Sequence, residues 1–282
     1  MKLIKIITLT LLTILMFSCE REDIDNNNSQ TKIPHYVLEK LAKQGVNINV
    51  IEDHSYDDGE GNITEGYLAG DIFFSINDIK TIEDLPSIDD IEGQKLYRTR
   101  NLVRVPNQGR RNISVRGLKL PEKLKRTLRR AVNNYNKLDL KIKLNLSFGN
   151  TEGGKDIIVR VNSNIPAAAD AGFPNRGNPF KRVRVNYALL RNVNDGTITT
   201  ILMHELGHCF GLRHSDYKTR SSCGSIIDED SLSGIQPGAI YIPGTDRSGN
   251  SQTSIMRACL SISDKGTFFQ QDRRGLRQLY GR

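Results

Sequence analysis

The sequence predicts an α+β protein, made of a small α/β segment followed by a larger mixed domain. Three observations support this: the back half alternates strand and helix patterns, the front half carries only short elements, and the charge changes sign between them. Glu20 to Arg110 contains 18 acidic and 10 basic residues, net −8, whereas Arg111 to Arg282 contains 14 and 28, net +14. We therefore divide the chain into an acidic segment, 20–110, and a basic domain, 111–282.

The residues before the acidic segment, 1–19, are predicted to be a lipoprotein signal peptide. Lys2 and Lys5 precede the apolar run IITLTLLTILMF, and Ser18 and Cys19 follow it before a polar stretch. The run is too short for a comfortable membrane span, which argues against the alternative of an anchor helix. MFSC resembles a bacterial lipobox, which implies that Cys19 is lipidated. The chain is then an exported, membrane-anchored lipoprotein of the outer membrane or cell surface, with simple secretion as the alternative.

The acidic segment is predicted to hold one helix and two or three strands. PHYVLEKLAKQG, 34–45, has helical spacing and ends in glycine, whereas NINVI, 47–51, and YLAGDIFFSI, 67–76, are typical of strands. The segment ends in a basic, turn-rich stretch that contains Arg110 and Arg111. We interpret this stretch as a linker and the arginine pair as a processing site.

The basic domain is predicted to alternate strands with helices. In chain order its elements are a strand at 112–118, a helix at 121–138, strands at 140–148, 156–161 and 181–190, and a last helix at 263–280. A further helix opens at Asp195 or Thr197, both suitable caps, and runs through the richest motif of the chain. A loop-rich stretch from Ser215 to Ser254 follows it.

The positive charge of the basic domain bears on its partners. The opposite charges of the two parts favour their mutual attraction or an anionic partner, and two solvated faces are the alternative. No aromatic-interleaved basic motif or zinc knuckle appears in the sequence, so we predict that the protein binds no nucleic acid. The acidic run Asp228–Asp230 matches no calcium-ligand pattern.

The stretch MHELGHCFGLRH, 203–214, holds the candidate chemistry. His204 and His208 lie one helical turn apart on one face, and Glu205 projects beside them. Gly211 ends the helix and turns the chain, so that His214 returns as a third ligand. Three neutral imidazoles leave a tetrahedral zinc one open position for water, and Glu205 is placed to take a proton from that water. We predict one catalytic zinc ion with Glu205 as the base.

A helix that merely happens to carry histidines is the alternative interpretation. It does not explain why all five positions of the zinc-site pattern carry the required residue, namely His204, Glu205, His208, Gly211 and His214. Nor does it explain why the basic domain has no histidine outside this motif. Two other functions also remain open: a zinc amidase acting on cell-wall amides, and a non-catalytic surface-binding lipoprotein. The presence of Glu205 disfavours the second, because a structural zinc site leaves no open position beside which a base could act.

Several segments of the basic domain resemble known zinc proteases. HELGHCFGLRH resembles the long metzincin signature, and SIM, 254–256, resembles the methionine turn of that group. LMHELGHCFGLRHSD, SSCGS, AIYIPGT and SIMRAC together resemble the bacterial HEIGH-type peptidase family M57 over most of 111–282. The resemblance implies a twisted mixed sheet over two long helices, and a zinc endopeptidase that acts on protein or peptide substrates. It also implies that Met256 lies in the turn beneath the metal.

The resemblance extends to the cysteines and to one strand. Cys223 and Cys259 lie in loop-like sequence and are the candidate disulfide pair, which the resemblance supports, whereas Cys209 is expected to be a buried thiol. The resemblance also implies that the strand KRVRVN, 181–186, borders the cleft and accepts an extended substrate. Its basic residues would favour acidic substrates or would simply be exposed edge charges.

Two positions limit what the resemblance implies. Some metzincins carry a tyrosine two residues after the methionine of the turn, but that position here is Ala258, so no such role is assigned. Asp216 either orients a histidine ligand or is a solvated loop residue.

A motif in the acidic segment suggests how the enzyme is regulated. LAGDI, 68–72, resembles the pro-segment motif of astacins, in which an aspartate occupies the zinc. The resemblance implies that Asp71 keeps the enzyme latent, with the acidic segment as an intramolecular inhibitor. A turn-forming Gly-Asp pair is the alternative.

Overall fold

Six α-helices and ten strands make up the part of the protein that this computed structural model describes, namely residues 33–43, 46, 48, 51–57, 62–82, 96–217, 220–224, 239–245 and 253–282. The helices are α1 (His35–Lys43), α2 (Ile76–Lys80), α3 (Glu122–Asn136), α4 (Tyr187–Leu190), α5 (Asp195–Cys209) and α6 (Gln270–Tyr280). The strands are β1 (Ile51–Asp57), β2 (Ile63–Ala69), β3 (Ile72–Ser75), β4 (Tyr97–Arg98), β5 (Arg111–Leu118), β6 (Ile142–Gly149), β7 (Ile157–Val161), β8 (Ala169–Asp170), β9 (Arg182–Val185) and β10 (Ile240–Tyr241). Within these ranges, no helix has the length and apolarity needed to cross a membrane.

A mixed sheet of five strands, the large sheet, forms the centre of the basic domain. Its order is β6-β5-β7-β9-β8, with β8 antiparallel at one edge and the other strands parallel. Alternation along β5 directs Ile113 and Val115 into the core, where they join Leu124 and Leu128 from the apolar face of α3. The predicted mixed α+β architecture is confirmed.

Helix α5 runs through the interior and carries the candidate motif. All its residues from Thr197 to Cys209 are buried, so the helix is enclosed by protein around its circumference and not only on one face. Its N-cap is Asn194, whose side chain accepts a hydrogen bond from the Thr197 N–H at 2.9 Å. The prediction of Asp195 or Thr197 as the cap was wrong, because Asn194 is the residue with the extended backbone that a cap requires.

Gly211 turns the chain after α5, and its conformation requires glycine. Its φ is +98°, and a Cβ there would stand 2.7 Å from Cδ2 of Leu102 and 2.9 Å from Oγ1 of Thr99. We expect Gly211→Ala to lower the free energy of unfolding by more than about 2 kcal/mol, measured by urea denaturation. Gly109→Ala is the matched control, because Gly109 also has a positive φ but open space around it. Equal losses in the two variants would show that crowding at Gly211 contributes nothing.

Strands β1, β2 and β3 form a separate antiparallel sheet, the front sheet, which packs against α1. YLAGDIFFSI was predicted as one strand, but it forms two strands joined by a two-residue turn, the apex turn, at Gly70 and Asp71. Gly70 has a φ of +68°, and glycine is preferred at the first central position of such tight hairpins. The strand prediction ran through the turn because the apolar residues on both sides of Gly70 form a nearly continuous run, whereas the interpretation of Gly70 and Asp71 as a turn-forming pair is confirmed.

The front sheet extends the large sheet at its β8 edge. The N–H of Phe73 donates to the carbonyl of Ala171 at 2.7 Å, and the N–H of Ala171 donates to the carbonyl of Asp71 at 3.0 Å. Ile72 and Ala171 form a parallel bridge. Residues Ile33–Arg282 belong to one compact unit, and the predicted signal peptide with Cys19 lies outside the described residues.

Residues at the end of the acidic segment pack with the basic domain. Leu96 and Val103 belong to the core of the large sheet, and β4 pairs with β10. Arg111 opens β5, and its guanidinium donates to the carbonyl of Arg104 at 3.0 Å. The stretch interpreted as a linker is thus held by the core and by hydrogen bonds.

Three further predicted elements differ in extent from those observed. Of the described residues of NINVI, 47–51, only Ile51 belongs to a strand, because β1 begins there. The basic strand 181–190 ends at Val185, after which α4 begins, and the last helix begins at Gln270 instead of residue 263. The strand β9 does not border the cleft, because β8 lies outside it. Arg184 on β9 is buried in an ion pair with Asp170, so it is not an exposed edge charge.

Candidate metal centre

Three imidazoles, here called the metal centre, converge near the C-terminal end of α5. His204 and His208 project from α5, and the turn at Gly211 brings His214 back to face them. Nε2 of His208 lies 2.9 Å from Nε2 of His204 and 3.2 Å from Nε2 of His214. All three side chains are buried. The structure thus brings together the three histidines that the motif singled out.

Backbone carbonyls hold the far side of two of the rings. Nδ1 of His204 lies 2.6 Å from the carbonyl oxygen of Ile255, and Nδ1 of His208 lies 2.8 Å from that of Leu212. A carbonyl oxygen only accepts, so each Nδ1 carries the proton and each Nε2 keeps a free lone pair. Burial lowers the pKa of His208 well below its usual value and also lowers the pKa of His214, which favours neutral rings.

The metal centre fits a tetrahedral ion. Zinc binds imidazole nitrogen at about 2.0–2.1 Å, which sets two tetrahedral ligand atoms about 3.3 Å apart. The Nε2 separations of 2.9 and 3.2 Å are close to this spacing. Without a cation, the free lone pairs would face one another in a buried site, which is unfavourable. The donor set therefore fits zinc, and the protein takes one zinc ion here.

Asp71 at the apex turn completes a set of four ligands. Its Oδ2 lies 3.2 Å from Nε2 of His204 and 3.3 Å from Nε2 of His214. The ligand atoms of Asp71 and of the three histidines all lie within 4.8 Å of one another. Burial by itself raises the pKa of Asp71, but the neighbouring His214 and His204 outweigh it and hold the pKa well below its usual value.

Glu205 lies beside His204 on the same helix. Its side chain is 2% exposed, and Oε2 has no hydrogen-bond partner among the described residues. Burial raises the pKa of Glu205 well above its usual value, and the charges of Asp71 and Asp170 raise it further. A buried carboxylate oxygen without a partner costs folding free energy, which points to a role in the chemistry of the site.

The turn Ser254–Met256 lies directly against α5. Met256 is fully buried, and its Sδ is 2.7 Å from the point where a Cβ on Gly207 would stand. Glycine at position 207 therefore allows the close contact between turn and helix. The same turn supplies the Ile255 carbonyl that holds His204.

Asp272 on α6 holds this turn, and sequence reasoning did not identify it. It accepts hydrogen bonds from Oγ of Ser254 at 2.6 Å, from the N–H of Ile255 at 3.2 Å and from the N–H of Phe269 at 2.9 Å. It is completely buried, and burial raises its pKa to about 6. Its only signal in the sequence is an acidic residue in the first turn of a helix, which also suits an ordinary cap.

Asp272→Asn tests this support. Asparagine has an NH2 group in place of one carboxylate oxygen, and this group cannot accept hydrogen bonds from the backbone N–H groups that Asp272 binds. We therefore expect the free energy of unfolding to fall by about 1–3 kcal/mol. Because the turn orients His204, we also expect zinc affinity to fall about 10- to 100-fold, measured by competition with a chromogenic chelator. Asp139→Asn is the control, since the Asp139 side chain is largely exposed. Unchanged zinc affinity in Asp272→Asn would contradict the proposed support.

Asp216 ties two loops together near His214. It is buried, and its carboxylate accepts from the N–H of Ser222 at 2.8 Å and from that of Ala258 at 2.9 Å. Its contacts are thus with loop amides instead of solvent. A disulfide joins Cys223 to Cys259 beside these bonds, and Cys209 is a free, buried thiol. The acidic run Asp228–Asp230 lies outside the described residues.

A cavity of about 580 Å³ adjoins the metal centre. His204 and Glu205 form part of its wall, and Arg220 and Ala258 form another part. Most of the remaining lining residues are apolar, namely Pro166, Ala167, Ala168, Ala169, Leu189, Leu190, Val193, Ile201, Leu260 and Ile262. The others are Glu52, Gly70, Asp71 and Thr197. The side chains of Leu189 and Ile262 are 53% and 80% exposed, so the cavity has an apolar rim open to solvent. A substrate side chain entering here would lie beside Glu205.

Comparison with solved structures found several chains that this chain resembles. The solved structures found include myroilysin (14% identity, covering 64% of this chain and 98% of that one, TM-score 0.40). They also include high choriolytic enzyme 1, a hatching-enzyme zinc protease from Oryzias latipes (14% identity, 69% and 98% covered, TM-score 0.38), and archaemetzincin from Methanopyrus kandleri (13%, 62% and 98%, TM-score 0.37). A search of curated proteins gave no match.

The family comparison is more specific. The model of the dual-action HEIGH metallopeptidases matches residues 67–280, a range that begins just before the apex turn and ends at the close of α6. The match contains the metal centre, Glu205, Asp71 and the Ser254–Met256 turn. The chain therefore belongs to the HEIGH metallopeptidase family and is a zinc metallopeptidase.

Proposed function

We propose that the protein is an exported zinc endopeptidase that is made in a latent form and uses Glu205 as its general base. The observation that carries this proposal is the unpartnered carboxylate of Glu205 beside three convergent imidazoles. Met256 and its neighbours serve as the methionine turn that supports the metal centre. The predicted lipid on Cys19 would keep the enzyme at the bacterial surface, with secretion as the alternative.

The residues of the chain account for each proton transfer in peptide hydrolysis. Zinc, when bound, polarises a carbonyl and lowers the pKa of water. Glu205 takes a proton from the attacking water as the water oxygen bonds to the peptide carbon. The carbonyl electron pair moves to its oxygen and later returns to break the bond between carbon and nitrogen. Glu205 then gives its proton to the leaving nitrogen, so the base is restored.

The strand β8 is the site for the main chain of the substrate. Ala171, just after β8, exchanges hydrogen bonds with the backbone of Asp71 and Phe73. Displacement of these residues would free the same groups for an extended peptide. The apolar cavity beside Glu205 would then accept a large apolar side chain of that peptide.

Latency follows from the place that Asp71 occupies. Its carboxylate lies at the metal centre, and the backbone on both sides of Ile72 fills the edge of β8. A substrate and the apex turn cannot occupy these positions together. We therefore propose that the acidic segment is an intramolecular inhibitor with Asp71 as its ligand to zinc.

The inhibitory part of the chain is best placed before Leu96. The core beneath the front sheet ends with Ile79 and Ile82, whereas Leu96 and Val103 belong to the core of the large sheet. We expect a chain that starts at Leu96 to fold, and one that starts at Arg111 to lose at least about 3 kcal/mol of unfolding free energy. Urea denaturation of the two chains measures their free energies of unfolding. Equal values would support the predicted boundary between the acidic segment and the basic domain at residue 110.

The function is tested by cleavage of casein and of cell-wall muropeptides by the purified protein. We expect casein cleavage to be lost with a chelator and restored by zinc. If the protein cleaved muropeptide amides but left casein intact, the result would instead support the alternative function of a cell-wall amidase. Zinc binding without cleavage of either substrate, even in an Asp71→Ala variant, would support the non-catalytic surface protein.

A further inference from the structure

Arg220 stands on the wall of the same cavity as His204, Glu205 and Ala258. Among the described residues no carboxylate lies within ion-pair distance of its guanidinium, whose side-chain contact is with Sγ of Cys223 at 3.8 Å. Arginine stays charged at all working pH values and offers five donors in a planar group. Among the described residues, a cation without an ion-pair partner therefore lines the cavity beside the metal centre, whose lining also includes the carboxylates Glu52 and Asp71.

The backbone of Arg220 is fixed in an unfavourable conformation. Its φ is +46°, although it is not glycine. Its N–H donates to the carbonyl of Asp216 at 2.7 Å, and its own carbonyl accepts from the N–H of Cys223 at 2.8 Å. The disulfide from Cys223 to Cys259 and the two bonds of Asp216 anchor this loop. Such strain of about 1–3 kcal/mol persists only where the surroundings impose it, and it is frequent at functional sites.

The guanidinium already contacts the segment that fills the substrate position. Nη1 of Arg220 lies 3.4 Å from the point where a Cβ on Gly70 would stand. Gly70 directly precedes Asp71, whose Oδ2 is 3.2 Å from Nε2 of His204. A peptide that replaced the apex turn would therefore pass beside Arg220 as it crossed the metal centre.

We propose that Arg220 is a catalytic residue that donates to the substrate carbonyl oxygen and stabilises the negative charge formed there. This inference rests on the proposed peptidase function. When water adds to the carbonyl carbon, the electron pair of the C=O bond moves to oxygen while the water proton passes to Glu205. The charged donor of Arg220 favours that anion over the neutral carbonyl, which lowers the barrier. Ala258, on the same wall, has no polar group to serve this purpose.

Arg220→Ala and Arg220→Lys test the proposal when each is made in the full-length Asp71→Ala protein, which lacks the carboxylate proposed to keep the enzyme latent. They are compared with that parent protein and with Arg129→Ala in the same background. Arg129 lies on α3 with its guanidinium over the Phe148 ring, so its loss controls for a lost surface charge. With a fluorogenic peptide we expect Arg220→Ala to lower kcat about 100- to 1000-fold with little change in KM, and Lys to restore part of it. Zinc content and melting temperature should stay as in the parent protein.

A readout that needs no turnover separates this proposal from the proposed function. A phosphinic peptide mimics the tetrahedral anion, and calorimetry with the zinc-loaded proteins gives its affinity beside that of the peptide product. We expect Arg220→Ala to weaken phosphinate binding about 100-fold and product binding less than threefold. The proposal would be overturned if Arg220→Ala weakened phosphinate and product binding equally, or if it left phosphinate affinity unchanged. A rise in activity on loss of Arg220 would also overturn it. Failure of the Asp71→Ala parent protein to cleave peptides would overturn the function, while its phosphinate binding would still decide the role of Arg220.

Discussion

Glu205→Gln is expected to lower kcat/KM for peptide cleavage about 1000-fold while zinc stays bound. The amide has the shape of the carboxylate but cannot take a proton from the attacking water. Since burial raises the pKa of Glu205, replacing it with a neutral group is not expected to destabilise the fold. Steady-state kinetics together with the zinc content by atomic absorption measure the effect.

Glu122→Gln is the matched control for this change. Glu122 is exposed in the first turn of α3, where it pairs with Lys125. Its variant should keep full activity. A Glu205→Gln enzyme that retained its zinc and worked within tenfold of wild type would show that another group takes the proton.

Asp71→Ala is expected to make the full-length protein at least about tenfold more active. The Asp71 carboxylate competes with substrate as an intramolecular ligand, and such a ligand acts at an effective concentration of millimolar or higher. Removing it leaves the metal centre to substrate and water, although the backbone of the apex turn still pairs with Ala171. Activity of the uncut protein, checked by mass spectrometry before and after the assay, measures the effect.

Glu65→Ala in the same front sheet is the control, because Glu65 is exposed on β2. It removes one negative charge from the acidic segment and leaves the metal centre untouched. If both variants raise activity equally, general charge attraction and not the Asp71 ligand holds the segment in place. If neither variant raises activity, the latch does not exist.

The candidate site could be predicted to the extent that its information is local. The spacing of four residues from His204 to His208 places both on one helix face, and the glycine at 211 signals the turn that returns His214. The large sheet followed from alternating patterns, because each strand shows its buried face in its own residues. Asp71 could be identified only by resemblance to a family motif, since no spacing rule links it to residues that lie far along the chain.

The remaining parts depend on contacts between distant residues. In the sequence, Asp272 has the position of an ordinary acidic residue in the first turn of a helix. Only the fold shows that it lies under the turn that holds His204. Arg220 is one of 40 lysines and arginines, and its importance appears only when a disulfide loop sets it beside Gly70. YLAGDIFFSI was predicted as one strand because it satisfies a strand pattern on both sides of its glycine, although Gly70 and Asp71 were also recognised as a pair that can form a turn.

The pairing of Phe73 and Ala171 has a consequence for the solubility of the activated enzyme. The backbone groups after β8 are satisfied by the front sheet in this structure. Under the proposed activation that sheet would leave, and the enzyme would then present an unpaired edge that a second molecule could join as readily as a substrate. Activation of this kind would create an aggregation risk that lasts while no peptide is bound. The edge is short, only two residues in β8, which limits that risk.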